Sequence, residues 1–149
     1  MEKLIVARHG SYGGDHLNSR GVEEINRLSQ GLQQVIGGGS VVILSSTAAR
    51  AVESAKIMSE ILGVPFSSHE ILWSDDRHRE NLPAALRLVQ SRENEADVVV
   101  LVTHFEYAEQ LPTFFGKEVL GEEIPEQEIS KGQARVVDCV AKTCVLLRC

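Results

Sequence analysis

No apolar run in the 149 residues approaches the roughly 18 to 20 positions that a membrane-spanning helix needs. No membrane partner is expected. A basic surplus is also missing: 15 Lys and Arg against 21 Asp and Glu leave a formal charge of −6, and the pI is near 5.4. Binding to a phosphate backbone needs a net basic face, so nucleic acid is not an expected partner. The three cysteines, Cys139, Cys144 and Cys149, are odd in number and spaced by five. That spacing fits neither a CxxC redox pair nor a zinc knuckle. Reduced thiols in a cytoplasmic protein are the expectation. There is no internal repeat, linker or low-complexity tract. Gly37-Gly38-Gly39 precedes a strand-like run, the wrong context for a nucleotide-phosphate loop. The N-terminal run from Met1 to Ala7 reads as a strand leading into Arg8, not as a signal peptide. What remains is one domain, 1–149, long enough to bury a core without disulfides or a metal staple.

Three segments, 4–7, 41–44 and 98–102, are continuous aliphatic or β-branched runs rather than alternating ones. Such runs suit parallel strands covered by helices on both faces. Helical periodicity lies between them. Val22, Ile25, Leu28, Leu32, Val35 and Ile36 mark a first helix, with Asn18 or Ser19 as cap and Glu23 and Glu24 in its first turn. Ala48, Ala51, Val52, Ala55, Met58, Ile61 and Leu62 mark a second, capped by Ser46 and ending at Gly63. A third spans about 83–89, its proline in the tolerated first turn. A fourth starts just after His104 and is expected to break at Pro112. Segments 134–139 and 143–148 read as two short strands, a hairpin. This order predicts a three-layer α/β/α architecture around a mostly parallel open sheet.

In such sheets the ligand sits beyond the carboxyl ends of the strands, at a topological switch point. The first strand runs into Arg8-His9-Gly10 and the second into Ser45-Ser46-Thr47-Ala48-Ala49-Arg50. The third runs into Thr103-His104. Two histidines and two arginines therefore fall at one end of the sheet. Arg50 lies off the apolar stripe of its helix, free to face a cleft. Arginine presents a planar fork of donors that matches phosphate oxygens, and a neutral imidazole is a competent nucleophile at phosphorus. Helix amides near Ser46 and free amides around Gly10 would add positive potential for an anion. Each residue also has an ordinary structural reading. Arg-His-Gly alone suits a strand end with a turn glycine, Arg50 suits a pair with Glu53, and His104 suits a buried, satisfied histidine. Their coincidence at one sheet edge favours a site.

These residues resemble the histidine phosphatase superfamily, the phosphoglycerate mutase-like enzymes. The matches are L-I-V-A-R-H-G, then L-N-S-R-G, S-S-T-A-A-R-A-V-E-S-A and V-L-V-T-H-F, in order and over nearly the whole chain. The short length, with little between the blocks, is similar to that of the small bacterial phosphohistidine phosphatases. The resemblance implies a phosphoglycerate mutase-like fold and a metal-independent phosphatase with no cofactor. It makes His9 the transiently phosphorylated nucleophile and sets Arg8, Arg50 and His104, with Gly10, around the phosphoryl group. Thr47-Ala48 departs from the family's frequent Pro-Leu. Asp15 stands near the place of a phosphate-binding asparagine, where a carboxylate would repel the substrate.

A phosphomonoester also needs a proton for its leaving group. Asp75, Asp76 and Glu80 are the candidates for a general acid, although their charged stretch also suits a solvated loop. Asp75, Asp76 and His78 make no coherent metal-ligand set, so no metal is expected. His16 and His69 read as surface residues, and Trp73 as a packed edge residue in preference to a substrate-side aromatic. Two substrate classes stay open, a phosphorylated protein carrying phosphohistidine and a small phosphorylated metabolite. A non-catalytic phosphate-binding regulatory module is a further alternative.

Overall fold

A computed structural model describes all 149 residues, Met1–Cys149. Six strands form one sheet: β1 (Lys3–Arg8), β4 (Val41–Ser45), β5 (Phe66–Ser68), β6 (Val98–Thr103), β7 (Ala134–Asp138) and β8 (Thr143–Leu147). Their order is β5-β4-β6-β1-β7-β8. The first four run parallel, and β7 and β8 join antiparallel at the β1 edge as the expected hairpin. Four helices cover it: α1 (Ser19–Ile36), α2 (Ala49–Leu62), α3 (Leu82–Gln90) and α4 (Phe105–Phe115).

The unbroken apolar runs follow from burial of both sheet faces. Successive side chains point to opposite faces, so Ile5 and Ala7 pack with α1 and α2, while Leu4 and Val6 pack with α3 and α4. All four are 0% exposed. At roughly 25 cal/mol per Å² of apolar surface, each large aliphatic residue buried this way contributes about 1.5–3 kcal/mol. The predicted three-layer arrangement is therefore the observed one. No helix is long and apolar enough to cross a membrane.

Several local expectations need correction. In α1 the Asn18 side chain caps by accepting from the Gly21 amide at 2.9 Å, but Glu23 and Glu24 fall beyond the first turn. Glu24 instead accepts from the Ser11 amide and hydroxyl, at 2.7 and 3.0 Å. Val22 is exposed, and Gly21 takes the buried position beside the Ser11 backbone. Ser46 does not cap α2. The helix begins two residues later than expected with Ala48 as its cap, and the Ser46 Oγ accepts from the Ala48 amide at 3.1 Å. Finally, α4 runs through Pro112 to Phe115 and then widens into a π-helical turn, Gly116–Leu120. A mid-helix proline costs about 3 kcal/mol. Here Tyr107, Ala108, Leu111, Pro112 and Phe115 are all buried, and that apolar burial outweighs one lost backbone bond.

Three strands carry no sequence signal. The two-residue strands β2 (Tyr12–Gly13) and β3 (His16–Leu17) form a small separate hairpin. β5 is a three-residue edge strand. All are too short for periodicity to register.

Candidate active site

Sheet order builds the site. After β1 the chain passes through α1 to β4, leaving a gap that β6 fills, so the carboxyl ends of β1, β6 and β4 lie side by side. The His9 amide donates to the Thr103 carbonyl at 3.0 Å, and the Ser46 amide to the Val102 carbonyl at 2.9 Å. These bonds lock the residues just past each strand into a common rim. They border a cleft of about 400 Å³ lined by Arg8, His9, Arg50 and His104, with Tyr12, Asp75, Asp76 and Glu106 around them. All four residues expected from the strand ends are brought together.

His9 is buried, and its Nδ1 lies 2.8 Å from the Gly10 carbonyl oxygen. A carbonyl only accepts, so Nδ1 carries the proton and Nε2 keeps its lone pair. The Arg50 Nε–H donates to that Nε2 at 3.3 Å, which agrees with the same tautomer. Burial, reinforced by the charges of Arg50, Arg8 and Lys131, lowers the His9 pKa to about 4 despite the opposing Gly10 bond. The ring is therefore neutral, with Nε2 unprotonated, at neutral pH.

His104 packs edge-on against His9, ring centroids 5.0 Å apart. Its Nε2 lies 2.8 Å from the Ser46 Oγ. The Ser46 oxygen also accepts from the Ala48 amide and keeps a second lone pair, so the Ser46–His104 contact fits either tautomer. With the hydroxyl donating to Nε2, the His104 proton sits on Nδ1. Burial, together with His9 and Arg50, lowers its pKa to about 3, against the raising effect of Asp75.

The arginines are held by different means. Arg8 donates through Nη1 to the Ile129 carbonyl at 2.8 Å, and its guanidinium carbon lies 5.1 Å from the Phe105 ring centre. Its Nε is buried with no protein partner. The Arg50 guanidinium carbon sits 4.7 Å from the Tyr12 ring centre. Arg50 does not pair with Glu53, whose carboxylate takes the His16 ring and the Leu17 amide, each at 2.8 Å. Both arginines thus keep donors for an anion in the cleft.

Gly10 departs from expectation. Its amide donates to the Ser54 Oγ at 3.1 Å and is not free for a ligand. The position instead serves close packing, since a Cβ there would meet the Gly21 carbonyl oxygen at 2.7 Å. Its carbonyl is the part that serves the site, by orienting His9. Asp15 is exposed in the turn between β2 and β3 and does not line the cleft. The repulsion feared from that carboxylate does not arise.

The three candidate acids separate. Glu80 faces Gln110 along a different groove and is outside the cleft. Asp76 is exposed at the rim. Asp75 lines the cleft but accepts from the Trp73 indole, the Arg77 amide, and the His78 amide and ring, at 2.8 to 2.9 Å. Desolvation raises the Asp75 pKa, but these bonds, led by the His78 ring, outweigh it and hold the carboxyl well below its usual range. An acid kept ionised cannot donate a proton. Trp73 does more than pack an edge: it stacks on His78 at 4.3 Å and lies parallel to His104 at 6.3 Å.

Sequence reasoning missed Tyr12, Ser54 and Glu106, and it read Ser46 as a helix cap where the structure makes it the partner of His104. Tyr12 follows Arg-His-Gly by two positions and Glu106 follows His104 by two, so proximity to the strand ends was the available signal.

The histidine assignments are open to direct measurement. In an NMR titration the His9 ring should titrate with a midpoint near 4 and the His104 ring near 3. His16, mainly through its bond to Glu53, should titrate above its ordinary value. A His9 midpoint near 6.5 would contradict the neutral-imidazole geometry.

No family model matches the chain, and no curated protein matches its sequence. Solved structures do match. The protein histidine phosphatase SixA complexed with tungstate superposes with a TM-score of 0.69 at 16% identity, over 97% of this chain and 94% of that one. A mycobacterial glucosyl-3-phosphoglycerate phosphatase complexed with VO3 gives 0.70 at 15%, over 98% and 97%. An Agrobacterium tumefaciens protein provisionally named phosphohistidine phosphatase SixA gives 0.66 at 17%, over 99% of each chain. The fold is therefore the phosphoglycerate mutase-like α/β fold that the sequence resemblance implied.

Proposed function

We propose that the chain is a metal-independent phosphatase that works through a phosphorylated His9 and acts on phosphohistidine in proteins. One observation carries this reading: the His9 Nε2 is unprotonated and enters a cleft flanked by two arginines, while Nδ1 is tied to the Gly10 carbonyl. A module that only bound phosphate would present a donor at that point. A lone pair would repel the anion's oxygens, but it suits attack on phosphorus.

The chemistry follows from the side chains. His9 Nε2 attacks the phosphorus as the leaving group departs. Arg8, Arg50 and the His104 Nδ1–H stabilise the phosphoryl oxygens where negative charge gathers. Water then attacks the phosphoryl enzyme and returns the Nε2 lone pair. The bond from Nδ1–H to Gly10 supports the ring while it carries the phosphoryl group.

Phosphohistidine is favoured over an alkyl phosphomonoester because, of the three expected acids, Asp75 is held ionised, Asp76 is exposed to solvent at the rim and Glu80 lies outside the cleft. An imidazole titrates near neutrality, with a pKa of about 6.5, and leaves without a dedicated acid. A small phosphomonoester remains the second reading, favoured by the fold shared with the glucosyl-3-phosphoglycerate phosphatase.

The test is release of inorganic phosphate from a phosphohistidine protein, an alkyl phosphate and an aryl phosphate. Phosphohistidine and the aryl ester should be turned over and the alkyl ester should be poor. EDTA should leave these rates unchanged. Loss of activity on chelation, restored by a divalent cation, would replace this mechanism with a metal-assisted one. Efficient alkyl phosphate hydrolysis would favour the second reading.

A further inference from the structure

One carboxylate in the cleft has an oxygen with nothing to bind. Glu106 stands in the first turn of α4 and lines the cleft with Arg8, His9 and His104. Its Oε1 is shut off from solvent and accepts no hydrogen bond from the protein, and no Lys, Arg or His nitrogen approaches within ion-pair distance. A half-buried carboxylate with one oxygen left unsatisfied is unfavourable. A donor brought by the ligand to the accessible oxygen, Oε2, would offset that cost.

The charge layout says what kind of donor that is. Arg8 and Arg50 supply positive charge at the strand ends and Arg77 adds a third cation at the rim, whereas Asp75, Asp76 and Glu106 bring negative charge to the same cleft. A purely anionic phosphoester is poorly matched to the second group. A ligand with a cationic N–H beside its phosphoryl group suits both, and a phosphorylated imidazole protonated on its other nitrogen is such a ligand.

His9 already displays the same arrangement. Its Nδ1–H rests on the Gly10 carbonyl at 2.8 Å, so phosphorylation at Nε2 makes it a phosphoimidazolium with its N–H bound. We infer that Glu106 does for the substrate's ring what the Gly10 carbonyl does for His9: its carboxylate accepts the N–H of the phosphohistidine and holds that ring protonated. This inference rests on the phosphohistidine phosphatase reading and names the residue that would select that substrate.

The transfer balances without a further acid. The His9 Nε2 lone pair forms the new N–P bond as the substrate's P–N bond breaks, and that electron pair stays on the substrate nitrogen. The substrate ring leaves as neutral imidazole with its N–H intact, and the positive charge now resides on the His9 ring. Water then displaces His9, which departs neutral, and the product is dihydrogen phosphate. Glu106 accepts a hydrogen bond throughout and exchanges no proton.

The test compares wild type with Glu106→Gln and Glu106→Ala on a phosphohistidine peptide and on an aryl phosphate, whose leaving group needs no proton. The ratio of kcat/KM for phosphohistidine to that for the aryl ester should fall tenfold or more in both variants. Aryl phosphate turnover reports whether each variant is folded, and the glutamine variant preserves shape. A ratio within about threefold of wild type, including parallel loss on both substrates, overturns the role of Glu106 and leaves the phosphatase reading standing. Wild-type protein inactive on both substrates overturns that reading and this inference with it. Wild-type turnover of the aryl ester but not of phosphohistidine overturns the substrate assignment and the role of Glu106 together.

Discussion

Replacing His9 with alanine should lower turnover by roughly 10⁴–10⁶, the scale seen when a covalent nucleophile is removed from an otherwise intact site. In the proposed mechanism the loss is large because Arg8, Arg50 and His104 would stabilise charge but present no lone pair in place of Nε2. Hydrolysis through the enzyme splits one displacement into two, each with a good leaving group. Without Nε2 the phosphoryl group must wait for direct attack by water. Brief mixing of wild type with labelled substrate, then quenching, should trap an acid-labile, alkali-stable phosphoryl enzyme, and the variant should trap none. The fold should persist. His9 lies beyond the end of β1, and the layers are held by Leu4, Ile5, Val6 and Ala7. Near-native circular dichroism with activity lost is the expected pair of results. An active His9→Ala protein would end the covalent mechanism.

Arg50→Lys should cost about 10²–10³ in kcat/KM, although the formal charge is unchanged. Loss of one preorganised donor to a developing oxyanion typically has that effect. The guanidinium stacks at 4.7 Å on Tyr12 while directing its Nε–H at His9. A planar fork can lie on a ring and still present two donors to a phosphoryl group. An ammonium is a point charge and cannot do both. The deficit should appear on aryl phosphate and phosphohistidine alike, because the role proposed for Arg50 is on the transferred group and not on the leaving group. That separates it from Glu106, whose variants should discriminate between the two substrates. Activity within about fivefold of wild type in Arg50→Lys would mean that charge alone suffices.

The sequence by itself determined the layers and one end of the sheet. Continuous runs such as Val98–Thr103 have no polar face to turn to solvent, so helices must cover both sides. Once 4–7, 41–44 and 98–102 are parallel strands, Arg8, His9, Arg50 and His104 follow at their carboxyl ends by chain direction alone. Local pattern does not contain what happens across the cleft. The carboxylates of Asp75, Asp76, Glu80 and Glu106 look equivalent in the chain, and all four stand near charged or apolar neighbours. Only the tertiary structure gives Asp75 four donors, turns Glu80 to another groove, and leaves a Glu106 oxygen buried without a partner. It likewise ties the Gly10 amide to Ser54, 44 residues away, and leaves the Gly10 carbonyl to set the tautomer of His9. Strand identity follows from how each residue partitions between water and an apolar core, a property it carries with it. Protonation and partnership depend on which distant groups approach within about 3 Å, and that is decided only when the sheet closes.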